Sequence, residues 1–196
     1  GVDGIMIVTP YYSKPSQHGI LRHFEEISKI TDLPIMAYNI PGRTSTLIEL
    51  ETLQTLVDDI GIHSIKDAVG DFEFSKKQLE LLKDKVDIYS GNDNQTYDFV
   101  INGGVGVVSV ASHVVGDEIS EMISFAKDND LEKAEEINMQ LSNLFEAIFE
   151  EPSPGPIKKI LSESWEEVGE PLLPITSITP ELANKIRGFY KKIKEN

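Results

Sequence analysis

The sequence predicts an α/β fold with a parallel sheet, and three observations carry that expectation. Short apolar runs recur along the first half of the chain, helical periodicity follows each run, and beyond the last run the pattern becomes wholly helical. The runs occupy residues 4–8, 34–38, 62–66, 86–90 and 105–110, with starts 30, 28, 24 and 19 residues apart (4 to 34, 34 to 62, 62 to 86, 86 to 105). Each interval holds a strand, a loop, a helix and a loop, and connections of that length join parallel strands rather than hairpins.

Between the runs, apolar residues return at helical spacing. Leu21, Phe24, Ile27 and Ile30 form one stripe, Leu50, Leu53, Leu56 and Val57 a second, and Phe72, Leu79 and Leu82 belong to a third. Asp117 has the position of an N-cap ahead of Ile119, Met122, Ile123 and Ala126. Further on, residues 131–149, 157–165 and 180–194 read as three helices. Pro152, Pro154 and Pro156 mark a corner between the first two, because proline lacks the N–H that a helix interior needs.

Two architectures satisfy this alternation, an open doubly wound sheet and a closed barrel of eight strands. No Gly-x-Gly-x-x-Gly turn follows the first run, which weakens the dinucleotide-binding version of the open sheet. Thr9, Tyr38, Lys66, Ser90 and Ser109 stand at the ends of the runs. In a barrel those ends converge on one mouth. The chain enters its first run directly after Gly1, Val2 and Asp3, so the barrel reading expects roughly three further strand–helix units ahead of residue 1.

Composition narrows the function. At 196 residues, 40% hydrophobic and 26% charged, the chain has the make-up of a globular domain. Its net charge of -15 argues against nucleic acid and anionic membrane as partners, since both bind through clustered Lys and Arg. An anionic ligand would therefore need a specific local cation. The absence of cysteine excludes disulfides, thiolate zinc sites and cysteine nucleophiles. His18, His23, His63 and His113 lack metal-ligand spacing, so no metal is expected. The apolar runs fall short of the ~20 residues of a membrane helix, and no export leader is visible, which sets a cytoplasmic location as the expectation.

Lys66 is the sharpest candidate for chemistry. It ends an apolar run and precedes Asp67-Ala68-Val69-Gly70. A desolvated lysine loses its proton more readily, and the neutral amine attacks ketones to form a Schiff base. The plainer alternative is a lysine that reaches out of a strand end into solvent. Tyr38 closes the preceding run and could exchange protons with such an adduct, or simply cap the core with its ring. Arg43, among turn residues, could hold a carboxylate bidentately or sit in a surface ion pair. Tyr11 and Tyr12 are adjacent loop aromatics that suit either an interface or local packing. Ser90-Gly91-Asn92-Asp93 has the character of a substrate-facing turn, whereas Gly103-Gly104 suits a tight helix-to-strand connection.

Five motifs then appear in order: Val-Thr-Pro-Tyr-Tyr at 8–12, Tyr-Asn-Ile-Pro-Gly-Arg-Thr at 38–44, Ile-Lys-Asp-Ala at 65–68, Ser-Gly-Asn-Asp at 90–93, and Gly-Gly-Val-Gly-Val-Val-Ser-Val at 103–110. Together they resemble the dihydrodipicolinate synthase family of the N-acetylneuraminate lyase superfamily, from residue 1 to about residue 175. The resemblance implies a (β/α)8 barrel of which about strands four to eight are present, residues 1–128, followed by a helical C-terminal region, residues 129–196. It implies that pyruvate condenses with L-aspartate 4-semialdehyde to give 4-hydroxy-tetrahydrodipicolinate, in lysine and diaminopimelate biosynthesis. Lys66 would form the imine and Tyr38 would carry protons. Arg43 would bind the semialdehyde carboxylate, while Val108 and Gly91 would contact substrate. Tyr12 would cross a tight dimer interface into a neighbour's relay, and Tyr11 would line an inhibitor cleft. The lysine–pyruvate imine is itself the electron sink, so no cofactor is implied, and the assembly implied is a tetramer of tight dimers.

The sequence departs from the family pattern in places. Val69 stands where Thr or Ser is frequent, and His113 where Asn is frequent. The family's Gly-Thr-Thr loop falls ahead of residue 1, so the chain by itself is expected to have little or no activity. Within the superfamily, a 2-keto-3-deoxy sugar acid or N-acetylneuraminate aldolase is the alternative, although Pro41-Gly42-Arg43-Thr44 favours the synthase. A non-catalytic interaction protein derived from the barrel is a second alternative.

Overall fold

The computed structural model describes residues 1–195. The chain divides into two compact units, Gly1–Val108 and Ser109–Asn196. The first contains strands β1 (Ile5–Val8), β2 (Ile35–Asn39), β3 (Ser64–Asp67), β4 (Asp87–Ser90) and β5 (Gly106–Val107). Helix α1 (Gln17–Ser28) follows β1, and α2 (Pro41–Thr44) with α3 (Leu50–Thr55) follow β2. Helix α4 (Phe72–Leu81) follows β3, and α5 (Thr96–Ile101) follows β4.

The strands form one parallel sheet in the order of the chain, β1-β2-β3-β4-β5. A doubly wound sheet reverses its strand order at a switch point, whereas a barrel wall adds each strand to the same side. The monotonic order therefore selects the barrel alternative. The two faces of the sheet agree. Ala37, Ile65 and Ile88 lie in one register row and are buried against Ile20 and Phe24 of α1, Leu53 of α3, Leu79 of α4 and Phe99 of α5. The opposite row carries Tyr38, Lys66 and Tyr89, all half-buried. With the strands in chain order, a sheet whose apolar row faces helices on one side suits a segment of barrel wall, whose other face is the lumen side.

Local chemistry places the elements. Ser16 caps α1 by accepting the Gly19 N–H at 3.2 Å, and Asp71 caps α4 by accepting from Glu73 and Phe74 at 3.0 and 3.4 Å. Gly103 takes φ 105°, and a Cβ on Gly104 would lie 2.2 Å from the Phe99 ring, so this pair does set the tight connection from α5 to β5.

The second unit is helical: α6 (Ser112–Lys127), α7 (Leu131–Ala147), α8 (Gly155–Ser164) and α9 (Pro180–Lys194). Its buried residues include Ile119 and Met122 of α6, Leu141, Leu144 and Phe145 of α7, Ile157 and Ile160 of α8, and Leu182 and Ile186 of α9. Each such side chain taken from water contributes about 1.5–3 kcal/mol. Division by compactness falls before α6, whereas division by pattern falls after it, at residue 128. The reason is that α6 follows a strand in sequence but packs against α7 and α8.

Three sequence expectations change in detail. Ile30 is 82% exposed and lies beyond the end of α1, whose buried residues are Ile20 and Phe24. Leu21, Phe24 and Ile27 do pack on the core, joined by Ile20, so the stripe holds over the helix and only its last member falls away. Asp117 does not cap a helix. Helix α6 begins at Ser112, and the break in it is the non-helical Val115, at φ -131° and ψ 39°. The last strand is two residues long rather than six, although Val105 and Val108 on either side donate to Ile88 and Ser90 at 2.9 and 2.8 Å.

Candidate active site

Register builds the site. Val8 pairs with Tyr38, Tyr38 with Lys66, Lys66 with Tyr89 and Tyr89 with Gly106 across five neighbouring strands. Side chains alternate along a strand, so paired residues in parallel strands share a face. Tyr38 and Lys66 thereby lie side by side on the lumen face, and the Lys66 Nζ sits over the Tyr38 ring, 4.2 Å from its centroid.

Burial acts on the two groups in opposite senses. It lowers the pKa of Lys66, since a buried ammonium loses hydration, and the charge of Asp93 works against that shift. It raises the pKa of Tyr38, since a buried phenolate loses hydration, and the charge of Arg43 works against that. The pair is thus biased toward a neutral amine beside a neutral phenol, the state in which the amine is a nucleophile and the phenol a proton donor.

Arg43 is exposed on α2, one turn beyond the end of β2, and is ion-paired with no carboxylate among the described residues. Gly91 directly follows β4, and its N–H donates to the Asp67 carbonyl at 2.5 Å. Val108 is half-buried, with its N–H given to Ser90, so it lies beside the end of β4. These positions gather Lys66, Tyr38, Arg43, Gly91 and Val108 at the C-terminal ends of β2 to β5. Tyr11 and Tyr12 stand apart from that group. They are 69% and 95% exposed, on the loop after β1, and Tyr12 holds the left-handed φ of 67°. A positive φ is uncommon for a bulky side chain, and here it accompanies a phenol that lies in solvent.

Two groups were not singled out from the sequence. Asp93, 2% exposed, acts electrostatically on Lys66 from the turn after β4. Its signal is the Ser-Gly-Asn-Asp motif at 90–93, which the sequence reads as a substrate-facing turn without giving the acid a part of its own. Asp67, also 2% exposed, faces away from the lumen. Its carboxylate accepts from the Val69 N–H at 2.9 Å, the Ser75 hydroxyl at 2.8 Å and the Gln78 amide at 3.2 Å. This network fastens the end of β3, and so the backbone that carries Lys66, to the first turns of α4.

Elsewhere, a cleft of about 360 Å³ in the second unit is lined by groups that already satisfy one another. Arg187 donates to the lining Asn184 and to Glu163 behind it, the latter at 2.8 and 2.7 Å, and Ser177 bonds to Glu170. No group of three or more His, Asp or Glu that could hold a metal occurs among the described residues. No helix among them is long and apolar enough to cross a membrane.

Fold and site together define a chain of the (β/α)8-barrel class, with a lysine–tyrosine pair at the end of the strands where such barrels carry their chemistry. Residues 1–193 match the Dihydrodipicolinate synthetase family, and the chain belongs to it. It is 42% identical to 4-hydroxy-tetrahydrodipicolinate synthase 1 of Halalkalibacterium halodurans, over 92% of this chain and 61% of that one. Dihydrodipicolinate synthase DapA-2 of Bacillus anthracis superposes with a TM-score of 0.92 at 38% identity, over 97% of this chain and 65% of that one. The chloride-inhibited dihydrodipicolinate synthase of Acinetobacter baumannii, solved in complex with pyruvate, superposes with a TM-score of 0.94 at 31% identity, over 99% of this chain and 67% of that one. The chain thus spans between 61% and 67% of the length of these relatives.

Proposed function

We propose that this chain carries the lysine–tyrosine centre of a 4-hydroxy-tetrahydrodipicolinate synthase, which condenses pyruvate with L-aspartate 4-semialdehyde. The observation that supports this reading most directly is the Lys66 amine lying 4.2 Å from the Tyr38 ring centroid at the strand ends. The pyruvate complex of the Acinetobacter baumannii relative supports the first substrate.

In this mechanism the neutral Lys66 Nζ attacks the C2 carbonyl of pyruvate to give a carbinolamine. An amine above the ring face is beyond direct hydrogen-bonding reach of a hydroxyl at the ring's edge. The carbinolamine oxygen fits between the two, where Tyr38 protonates it as it leaves as water. The resulting imine draws electrons from the methyl group, which loses a proton to become an enamine. The enamine carbon then attacks the semialdehyde carbonyl. Closure by the semialdehyde's own amino group onto C2 expels Lys66 and regenerates the free amine. Arg43 holds the semialdehyde carboxylate, and Gly91 and the Val108 backbone border the pyruvate. Orientation of the two reactants supplies roughly 7 kcal/mol or more of the rate. Tyr12 reaches a neighbouring copy in an assembly of tight dimers, and Tyr11 lines an inhibitor cleft.

Borohydride reduction in the presence of pyruvate tests the central step. The expected product is a carboxyethyl adduct on Lys66, located by peptide mass spectrometry and absent in Lys66→Arg. An unmodified Lys66 in a folded full-length protein that includes the Gly-Thr-Thr loop would remove the basis of the reading.

A further inference from the structure

Gly91 is not explained by its backbone. The glycines with left-handed φ in this chain are Gly61, Gly70, Gly103, Gly106 and Gly169, and Gly91 is not among them. Any residue could adopt its conformation, so what singles it out is space. A Cβ at this position would lie 2.8 Å from the Ala68 Cβ, 3.0 Å from the Asp67 carbonyl oxygen and 3.0 Å from the Lys66 Cε. Something must give, and the surrounding bonds decide what.

The Asp67 carbonyl cannot recede, because it accepts the N–H of Gly91 itself at 2.5 Å. Ala68 is held by its own N–H, which donates to the Asn39 carbonyl at 2.9 Å. Asn39 is in turn clamped to Ile48 in both directions, at 3.0 Å each. On its other side β3 is tied to α4 through the Asp67 carboxylate. The Lys66 stem is the one neighbour with rotatable bonds to spare, so a side chain at residue 91 would push it out of its groove. We propose that Gly91 is a positioning residue for Lys66, the missing side chain leaving the slot that seats the lysine stem and holds the amine over the Tyr38 ring. The catalytic consequence rests on Lys66 being the reacting amine, but the seating does not.

The test uses the whole chain in an Ala68→Gly background, which removes the closest of the three contacts while touching no proposed substrate group. A double-mutant cycle between Gly91→Ala and Lys66→Ala reads the packing. Removal of the lysine stem is expected to recover a clear part of the melting temperature that Gly91→Ala loses, because neighbours that clash are not additive. In parallel, the Lys66 amine is titrated by NMR after reductive ¹³C-methylation, with its signal assigned by its absence in Lys66→Arg. Gly91→Ala is expected to return its midpoint toward that of an ordinary lysine. Borohydride trapping of pyruvate is expected to slow by about tenfold to a hundredfold, since small misplacements of a reacting group cost that much. Strict additivity in the cycle, or an unmoved Lys66 titration in a folded Gly91→Ala chain, overturns the proposal. Should the unsubstituted full-length protein, with its Gly-Thr-Thr loop, trap no pyruvate, the functional reading fails, while the cycle and the titration in this chain still decide the seating.

Discussion

The Lys66 Nζ rests over the Tyr38 ring because β2 and β3 pair in parallel with Tyr38 opposite Lys66. A slip of one residue would turn one of the two side chains toward the helices and leave the other alone in the lumen. The phenol can therefore be altered without disturbing the seat. Tyr38→Phe keeps the ring under the amine and removes only the hydroxyl. Pyruvate trapping by borohydride is expected to slow by about 10²–10⁴-fold, the usual contribution of a positioned acid–base group. The Lys66 titration should stay lowered, because burial, its first cause, is unchanged. Wild-type trapping kinetics in Tyr38→Phe would mean that water, not Tyr38, handles the proton.

The same two groups give stability a signature in alkali. Lys66 has its pKa lowered on folding from an ordinary 10.5, so between its folded value and 10.5 the unfolded chain binds more protons. Its contribution to stability therefore rises with pH across that window. Tyr38 has its pKa raised from an ordinary 10.0, so above 10.0 the folded chain binds more protons and stability falls. Chemical denaturation followed against pH should show the rising slope disappear in Lys66→Met and the falling slope weaken in Tyr38→Phe. The rate of imine trapping should level off below the ordinary lysine pKa of 10.5.

How much of this was legible in the sequence depends on range. The five strand runs and their spacing could be read directly, because an apolar stretch between turn signals is a local property. Lys66 and Tyr38 could be placed at strand ends on the same grounds, but nothing local says that they pair. That requires the register of β2 on β3, which is fixed by the burial of Ala37 and Ile65 against the helices. Ile30 was misplaced because a stripe read at i, i+3 carries on past the real helix end at Ser28. Asp93 and the Asp67 network stayed hidden because buried acids and solvated ones look alike in a chain with 33 Asp and Glu. The role of Gly91 was invisible for a different reason. A glycine that is needed for space rather than for φ shows itself only once its neighbours have coordinates.

Asp67 behaves against the habit of carboxylates, and this can be measured. Burial, the largest influence on it, raises its pKa above 3.8, although three donors oppose the shift. The folded chain thus holds the proton more tightly, and the contribution of Asp67 to stability falls as pH rises from 3.8 through the folded value. Asp67→Asn should abolish that fall and cost less than about 1 kcal/mol. The reason is that the Gln78 Oε1 is buried without a partner, and a flipped Gln78 amide could accept from the new amide N–H. Asp67→Ala leaves Val69 and Gln78 without their acceptor, while the Ser75 hydroxyl keeps the Asp71 carbonyl at 3.3 Å, and it should cost about 1–3 kcal/mol for each donor that water cannot reach. Urea denaturation of the two variants at acid and neutral pH separates these outcomes, and equal losses in both would show that the carboxylate's charge matters more than its geometry.

Arg43 distinguishes the proposed reaction from sugar-acid cleavage on the same scaffold. On a chain of net charge -15 it is a cation left without a carboxylate partner among the described residues, one helical turn past Tyr38. Its first job would be to bind a carboxylate, and charge-assisted bonds of that kind are worth about 1.5–3 kcal/mol. Arg43→Ala should therefore leave borohydride trapping of pyruvate close to wild type. Adding L-aspartate 4-semialdehyde before the reductant consumes the trappable imine, and the concentration needed for this should rise by roughly tenfold to a hundredfold in the variant, the range to which those energies convert. A second effect has a fixed sign. Removing the Arg43 charge takes away the influence that lowers the Tyr38 pKa, so the phenol should titrate higher still. A variant that loses pyruvate trapping while semialdehyde demand is unchanged would move Arg43 from the second substrate to the first, and would favour a lyase whose acceptor has no carboxylate to hold.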